Sequence, residues 1–278
     1  MGEGSTKDTR MVFTMIRKAD CLGIETYNAL WESFSWSFNA LRAGKRPALD
    51  VSGRACVESP GLSLAGGFSG AMVLMRGDWQ WYSEIMELPK HNEVKNMCYL
   101  CKAGVTDPTL RYTDARKTAG WRATKRTTTS FKAECVASGK KIPVLLDLIP
   151  GLQLEHIMVD ILHTVDLGVT AHVLGNIMAE CMRQMAATQS LQVDALNADL
   201  KSWYRRQGKD VYRLQGKITK DGMRTNSGFP KLKGKAAGVR HLSGYGVDLC
   251  RRYTSGNDHD SRRLAIAKLL QRFYVIFL

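Results

Sequence analysis

The chain has no apolar run of membrane-spanning length. The longest, around residues 145–149 and 269–278, are short or interrupted by charge. Residues 1–10 are polar, so the apolar core of a secretory signal is absent, and a nuclear or cytoplasmic location is expected rather than secretion. In that setting the cysteines at 21, 56, 98, 101, 135, 181 and 250 are expected to be reduced, and their odd number argues against a full disulfide framework. No repeat of fixed period and no low-complexity segment is present, so nothing reads as a repeat array. Glutamate disappears after Glu180; beyond it only aspartates occur, mostly next to basic residues.

Acid is scarce where base is plentiful. The chain of 278 residues carries a formal charge of +14, and residues 201–278 hold 18 Lys/Arg against 5 Asp/Glu, a net +13. Such an excess points to a polyanionic partner, with a solvated basic surface as the plain alternative. The hydrophobic content of 44% suffices for one sizeable core, or one core carrying an insertion.

The stretch 71–101 organises the rest. Residues 71–75 (AMVLM) form an unbroken apolar run, as expected of a strand buried on both faces. Arg76 and Gly77 end it, Asp78 follows, and Trp79, Tyr82, Ile85 and Met86 recur at helical spacing. Strand, acid, helix is how α/β proteins present a carboxylate at the end of a sheet. Residues 12–16 (VFTMI) and 144–149 (VLLDLI) are further strand candidates. A helix is expected from Ile24 to Leu41, with one aromatic-rich face, ended by Gly44 and Pro47. Residues 50–70 read as a loop and 152–178 as helix, with Gly168 a candidate break. Residues 182–228 show no core pattern. A helix is expected to begin at Pro230, and an amphipathic one to run over 261–277.

Residues 102–141 change character, becoming basic and poor in aliphatics. Arg111, Arg116, Lys117, Arg122, Lys125 and Arg126 are interleaved with Tyr112, Trp121 and Phe131. Base among aromatics suits contact with phosphates and stacking on bases, with Trp121 the candidate for stacking. The competing interpretation is a solvated excursion anchored by its aromatics. Toward the end of the chain, Lys231, Lys233, Lys235 and Arg240 form a second basic candidate. The expected division is a partial core over 1–101 with its CxxC, a basic insertion over 102–141, a core strand and helix over 142–181, and a basic, mainly helical region over 182–278.

Cys98 and Cys101 form a CxxC, a common half of a zinc site, and Asp160 and His163 stand i, i+3 on an expected helix. Two thiolates with His163 make the leading trio, with Asp160, His156 or His91 as fourth ligand. The alternative is a buried cysteine pair and a helix histidine bonded to Asp160. His172 reads as a packing histidine. Asp78 alone cannot hold two magnesium ions, which need two or three converging acids.

The ordered set GDWQWYSEIMELP, NMCYLC, DILHTVDLGV and FPKLKGKAAGVRHL resembles the cut-and-paste DDE transposases of the CACTA, Plavaka and KDZ kind. That resemblance implies an RNase H-like α/β fold, a mixed sheet with flanking helices, incomplete at its N-terminus. It places Asp78 at the second catalytic acid, and Cys98, Cys101, Asp160 and His163 at the family's CxxC and DxxH. The recombinase of antigen-receptor gene assembly holds zinc with a similar cysteine pair and histidine pair. Gly238 stands where the third acid belongs, and the strand bearing the first acid is not matched. Metal-assisted phosphoryl transfer depends on the full ligand set, so the expectation is a transposase-derived DNA-binding protein without competent strand transfer. Structural zinc is the expected cofactor, with magnesium only for an active enzyme. DNA is the expected partner, with further copies of the chain an open alternative. The rivals are an active metal-dependent nuclease using Asp78, Asp147 and Glu180, a zinc-stabilised interaction module, and a fragment that does not fold alone.

Overall fold

The computed structural model describes residues 14–56, 59–90, 93–95, 97–208, 211–223 and 228–277. The chain is 55% helical, and among the described residues there is no β-strand and no sheet. The fold is therefore all-α, and the expected RNase H-like mixed sheet is overturned. Two compact units divide it, Met1–Met158 and Val159–Leu278, and each has its own apolar cluster.

The first unit starts with α1 (Ile24–Ala43), ended by Gly44, whose positive φ of 64° lets its amide return to the Leu41 carbonyl. Its Trp31, Phe34 and Phe38 are half-buried against the unit's core, as the aromatic spacing leads one to expect. Of residues 12–16, the first two lie outside the described residues, and 14–16 are irregular.

The central run 71–75 is not a strand buried on both faces. Val73 is 69% exposed and Leu74 50% exposed; Met72 is half-buried against the core, and Met75 is buried in it, with a single parallel bridge to Ile157. The pairing stops there because tyrosines occupy the next acceptors. Tyr82 Oη donates to the Met158 carbonyl at 2.6 Å and accepts from Gly77 N at 2.9 Å, and Tyr99 Oη donates to the Ile157 carbonyl at 2.9 Å. These hydroxyls satisfy groups that a second strand would otherwise bond, so no ladder extends.

The run 144–149, also expected as a strand, forms the short helix α4 (Val144–Leu148) after Pro143. A six-residue apolar run cannot distinguish the two periods. Here Leu145, Leu146 and Ile149 share a helical face and are buried, while Asp147 faces out to Lys132. Between these elements lie α2 (Trp79–Glu84) and α3 (Thr128–Ala137), the latter started by a reciprocal Thr127–Ser130 capping box.

The second unit is a helical assembly. A π-helical stretch, Leu162–Thr170, runs directly into α5 (Ala171–Met185). Gly168 lies within that stretch, where a Cβ would approach the His163 carbonyl to 2.9 Å, so the helix is rewound rather than broken. Next come α6 (Gln189–Gln207), α7 (Ala236–His241), α8 (Ser243–Arg252) and α9 (Asp258–Phe277). In α6, Leu196, Leu200, Trp203 and Tyr204 are buried at helical spacing, in a region whose polar surroundings hide that pattern. Segment 229–235 is extended, so the helix expected from Pro230 starts only at Ala236.

Candidate nucleic-acid interface

Segment 229–235 is held by its own backbone. The Leu232 amide donates to the Ala171 carbonyl of α5 at 2.9 Å, while the Lys231 and Lys233 amides donate the opposite way, to Met223 at 3.0 Å and Gly222 at 2.7 Å. Alternating amide directions are the mark of an extended chain, in which side chains alternate as well. Leu232 is buried, Lys231 is half-buried, and Lys233 and Lys235, the latter at the start of α7, are exposed. Gly175 makes the crossing over α5 possible: a Cβ there would lie 2.7 Å from the backbone of Lys231 and Leu232. The Asn176 side chain also donates to the Pro230 carbonyl at 3.3 Å.

The charge around this ladder is one-sided. The second unit holds 19 Lys/Arg and 10 Asp/Glu. Six of those acids are already bound. Asp160 meets His163, and Asp199 and Asp248 share Arg252. Glu180 and Asp260 share Arg263, and Asp166 takes Arg240. Burial alone would raise the Asp199 carboxyl, but hydrogen bonds from Arg252 and Tyr245 hold it below its ordinary value. Lys231, Lys233 and Lys235 make no ion pair among the described residues, and Lys233 and Lys235 are exposed to solvent.

Arg240, expected beside the three lysines as a phosphate contact, has another task. Its guanidinium holds the fully buried Asp166, with Nε at 3.2 Å, and Tyr274 Oη donates to the same carboxylate at 2.6 Å. The Asp166 hydrogen bond raises the Arg240 pKa further, so this cation neutralises a buried acid.

The basic residues of the first unit also divide by occupation. Arg116 pairs with Asp114 at 2.8 Å, which pulls that carboxyl down to about 2. Trp121 donates from Nε1 to the Asp114 carbonyl at 2.8 Å, and Arg122 lies 4.4 Å over its ring while donating to the Arg116 carbonyl. Arg126 is buried; it pairs with Glu134 at 2.9 Å and donates to the Cys98 carbonyl at 2.7 Å and to the Cys101 carbonyl. Arg111, Lys117 and Lys125 are exposed and make no ion pair among the described residues.

Asp78, expected at the end of a buried strand, caps α2. It is exposed, and its Oδ1 accepts from the Trp81 amide at 2.6 Å. Cys98 is half-buried and Cys101 buried; burial first, then the neighbouring Cys101 thiol, push the Cys98 thiol above its ordinary value. Both belong to the first unit, whereas Asp160 and His163 belong to the second. There His163 Nδ1 stands 2.6 Å from Asp160 Oδ2, and the same carboxylate accepts from the His163 amide at 3.1 Å, a helix-start arrangement. His156 Nδ1 accepts from the Gln153 amide, His172 is exposed on α5, and His91 lies outside the described residues. Among the described residues no group of three or more His, Cys, Asp or Glu is arranged to hold a metal ion. No described helix is long and apolar enough to cross a membrane.

Two features of the interface are not apparent from residue type alone. Gly175 and the buried Leu232 seat the segment on α5, and Phe229, two residues before Lys231, is 69% exposed. The signal available in the sequence was the alternation of Phe229, Lys231, Lys233 and Lys235 about Leu232, a period of two rather than of a helix. Set against family models, curated proteins and solved structures, the chain matches none of them.

Proposed function

We propose that this protein binds nucleic acid, DNA foremost, through phosphate contacts made by the Lys231–Lys233–Lys235 ladder, and that strand transfer is no part of its activity. The carrying observation is the ladder itself: three lysines on a backbone fixed by hydrogen bonds, in a unit whose acids are largely committed to other partners. A fixed backbone lowers the ordering cost of binding, and unpaired ammonium groups release counterions from a phosphate chain. Arg111, Lys117 and Lys125 supply a second, looser set of cations in the first unit. Asp78 contributes through helix capping in this proposal, and the DDE-type likeness is retained only for the DNA partner.

The test is a salt titration of binding to labelled DNA. Affinity is expected to fall steeply as salt rises, and Lys231→Gln/Lys233→Gln/Lys235→Gln is expected to reduce the log–log slope by roughly 2–3, at about 0.7–0.9 per lost phosphate contact. An unchanged slope in the triple variant, or binding indifferent to salt, would remove the ladder from the function.

A further inference from the structure

We infer that the hollow between α5 and α9 is a binding site for a small apolar carboxylate, with Arg262 holding the carboxylate and the facing aliphatic side chains holding its body. The site does not include the Lys231–Lys233–Lys235 ladder, and the inference stands apart from the nucleic-acid function proposed above. The two helices run antiparallel. Thr170, directly before α5, meets Tyr274 near the end of α9, their hydroxyls 2.6 Å apart. Glu180, later in α5, meets His259 and Arg263 in the first turns of α9. Between these two anchor points the helices leave a hollow of about 420 Å³. That volume falls within the ~300–1,000 Å³ of small-molecule clefts.

Three aliphatic side chains form its walls: the buried Ile177 and half-buried Val173 of α5, and Ile266 of α9, which is 50% exposed. Water against such a lining is unfavourable, and an apolar ligand body displaces it. The two ends of the hollow are polar and unlike. At one, Glu180 Oε2 lies 2.9 Å from both His259 Nε2 and Arg263 Nη1, so this acid already has its cation. At the other, His172 is exposed, roughly 12 Å along α5 from Glu180 at the helical rise per residue. That span suits a fused pair of rings or a short chain. Arg262 borders the hollow between His259 and Ile266, is exposed, and makes no ion pair among the described residues. A guanidinium takes a carboxylate through two parallel hydrogen bonds. A cation without an acid partner, set beside an aliphatic wall, is therefore complementary to a ligand with one carboxylate and an apolar body. An apolar cation would instead meet a carboxylate already shared by two donors.

Isothermal titration calorimetry on the full chain tests this with three probes of one shape: naphthoate, naphthamide and naphthylmethylamine. Naphthoate is expected to bind at least about ten-fold more tightly than either other probe, the lower bound for hydrogen bonds to a charged group. Arg262→Gln, at an exposed position, is expected to erase that preference, and Arg262→Lys to keep part of it. Ile266→Trp, also at a solvent-facing position, is expected to fill the hollow and weaken all three probes, with the helical circular dichroism of the parent retained. Naphthoate bound no better than naphthamide, or bound equally by Arg262→Gln, would overturn the inference. Naphthylmethylamine as the tightest probe would overturn it too, by assigning the hollow to cations through Glu180. Displacement of naphthoate by oligothymidylate would make the hollow part of a phosphate-binding face and overturn a separate site. The Lys231→Gln/Lys233→Gln/Lys235→Gln variant is expected to bind naphthoate as the parent does, so failure of the nucleic-acid reading and failure of this one are told apart.

Discussion

The two units bury apolar clusters by different means. In the second, helices pack on helices: Leu174, Met178, Leu196, Tyr245 and Leu249 are fully or nearly fully buried, each contributed by a helix that satisfies its own backbone. In the first, much of the backbone around the core is irregular, and side chains must complete it. Tyr82 and Tyr99 bond the carbonyls of Met158 and Ile157, and Arg126 closes the turn that carries Cys98 and Cys101. Where the backbone is helical, apolar packing governs stability; where it is irregular, individual polar side chains become decisive.

The largest expected effect tests the packing half of that contrast. Leu196→Ala should destabilise the second unit by about 2–5 kcal/mol, seen in urea denaturation followed by helical circular dichroism. A loss under about 1 kcal/mol would mean that α6 is not part of a close-packed core. Slightly smaller is Arg126→Met, which removes a buried donor set and leaves the Cys98 and Cys101 carbonyls without it. About 2–4 kcal/mol of lost stability in the first unit is expected, measured through the tryptophan fluorescence transition. Stability equal to the parent would show that the arginine is incidental to the turn.

Gly175→Ala sets two magnitudes against each other. Alanine gains about 1 kcal/mol in a helix interior, whereas a forced contact with packed backbone costs about 1–3 kcal/mol. With 2.7 Å to the Lys231 and Leu232 backbone, the contact should win, giving net destabilisation of up to about 2 kcal/mol together with weaker DNA binding. A more stable variant with unchanged binding would separate segment 229–235 from α5.

The smallest effect is on acid stability. Burial would raise Glu180, but His259 and Arg263 hydrogen bonds hold it below its ordinary value, as Arg252 and Tyr245 do for Asp199. A depressed carboxylate contributes stability that is present above its unfolded pKa of about 4 and is lost as pH falls through the folded value. The second unit should therefore lose stability progressively below about pH 4–5, and Glu180→Gln should flatten that part of the profile. An identical acid profile in the variant would exclude this carboxylate as a contributor.

Helices were legible where period and stop signals agreed, as in α1 with its aromatic face and Gly44, and in the apolar spacing of α9. They were illegible where an apolar run was too short to show a period. Residues 144–149 turned helical because their burial is on one face, and 71–75 stayed irregular because tyrosine hydroxyls took the acceptors that a neighbouring strand would have used. In α6 the pattern was present but masked by polar neighbours. The lysines of the interface were visible as charge, while the anchoring of their backbone was not, since it depends on amides bonded to Ala171, Met223 and Gly222.

By itself the sequence determined the strongly basic balance, the absence of a described membrane-crossing helix, the aromatic face of α1 and the basic residues available to a polyanion. These are properties of composition and local period, which survive any arrangement of the chain. Only the tertiary structure decided that the fold is all-α, that Asp78 caps a helix, and that Arg126 and Arg240 are bound to protein partners while Lys231, Lys233 and Lys235 are not in ion pairs among the described residues. A charge acquires its role from the partners that reach it, and those partners lie far away along the chain.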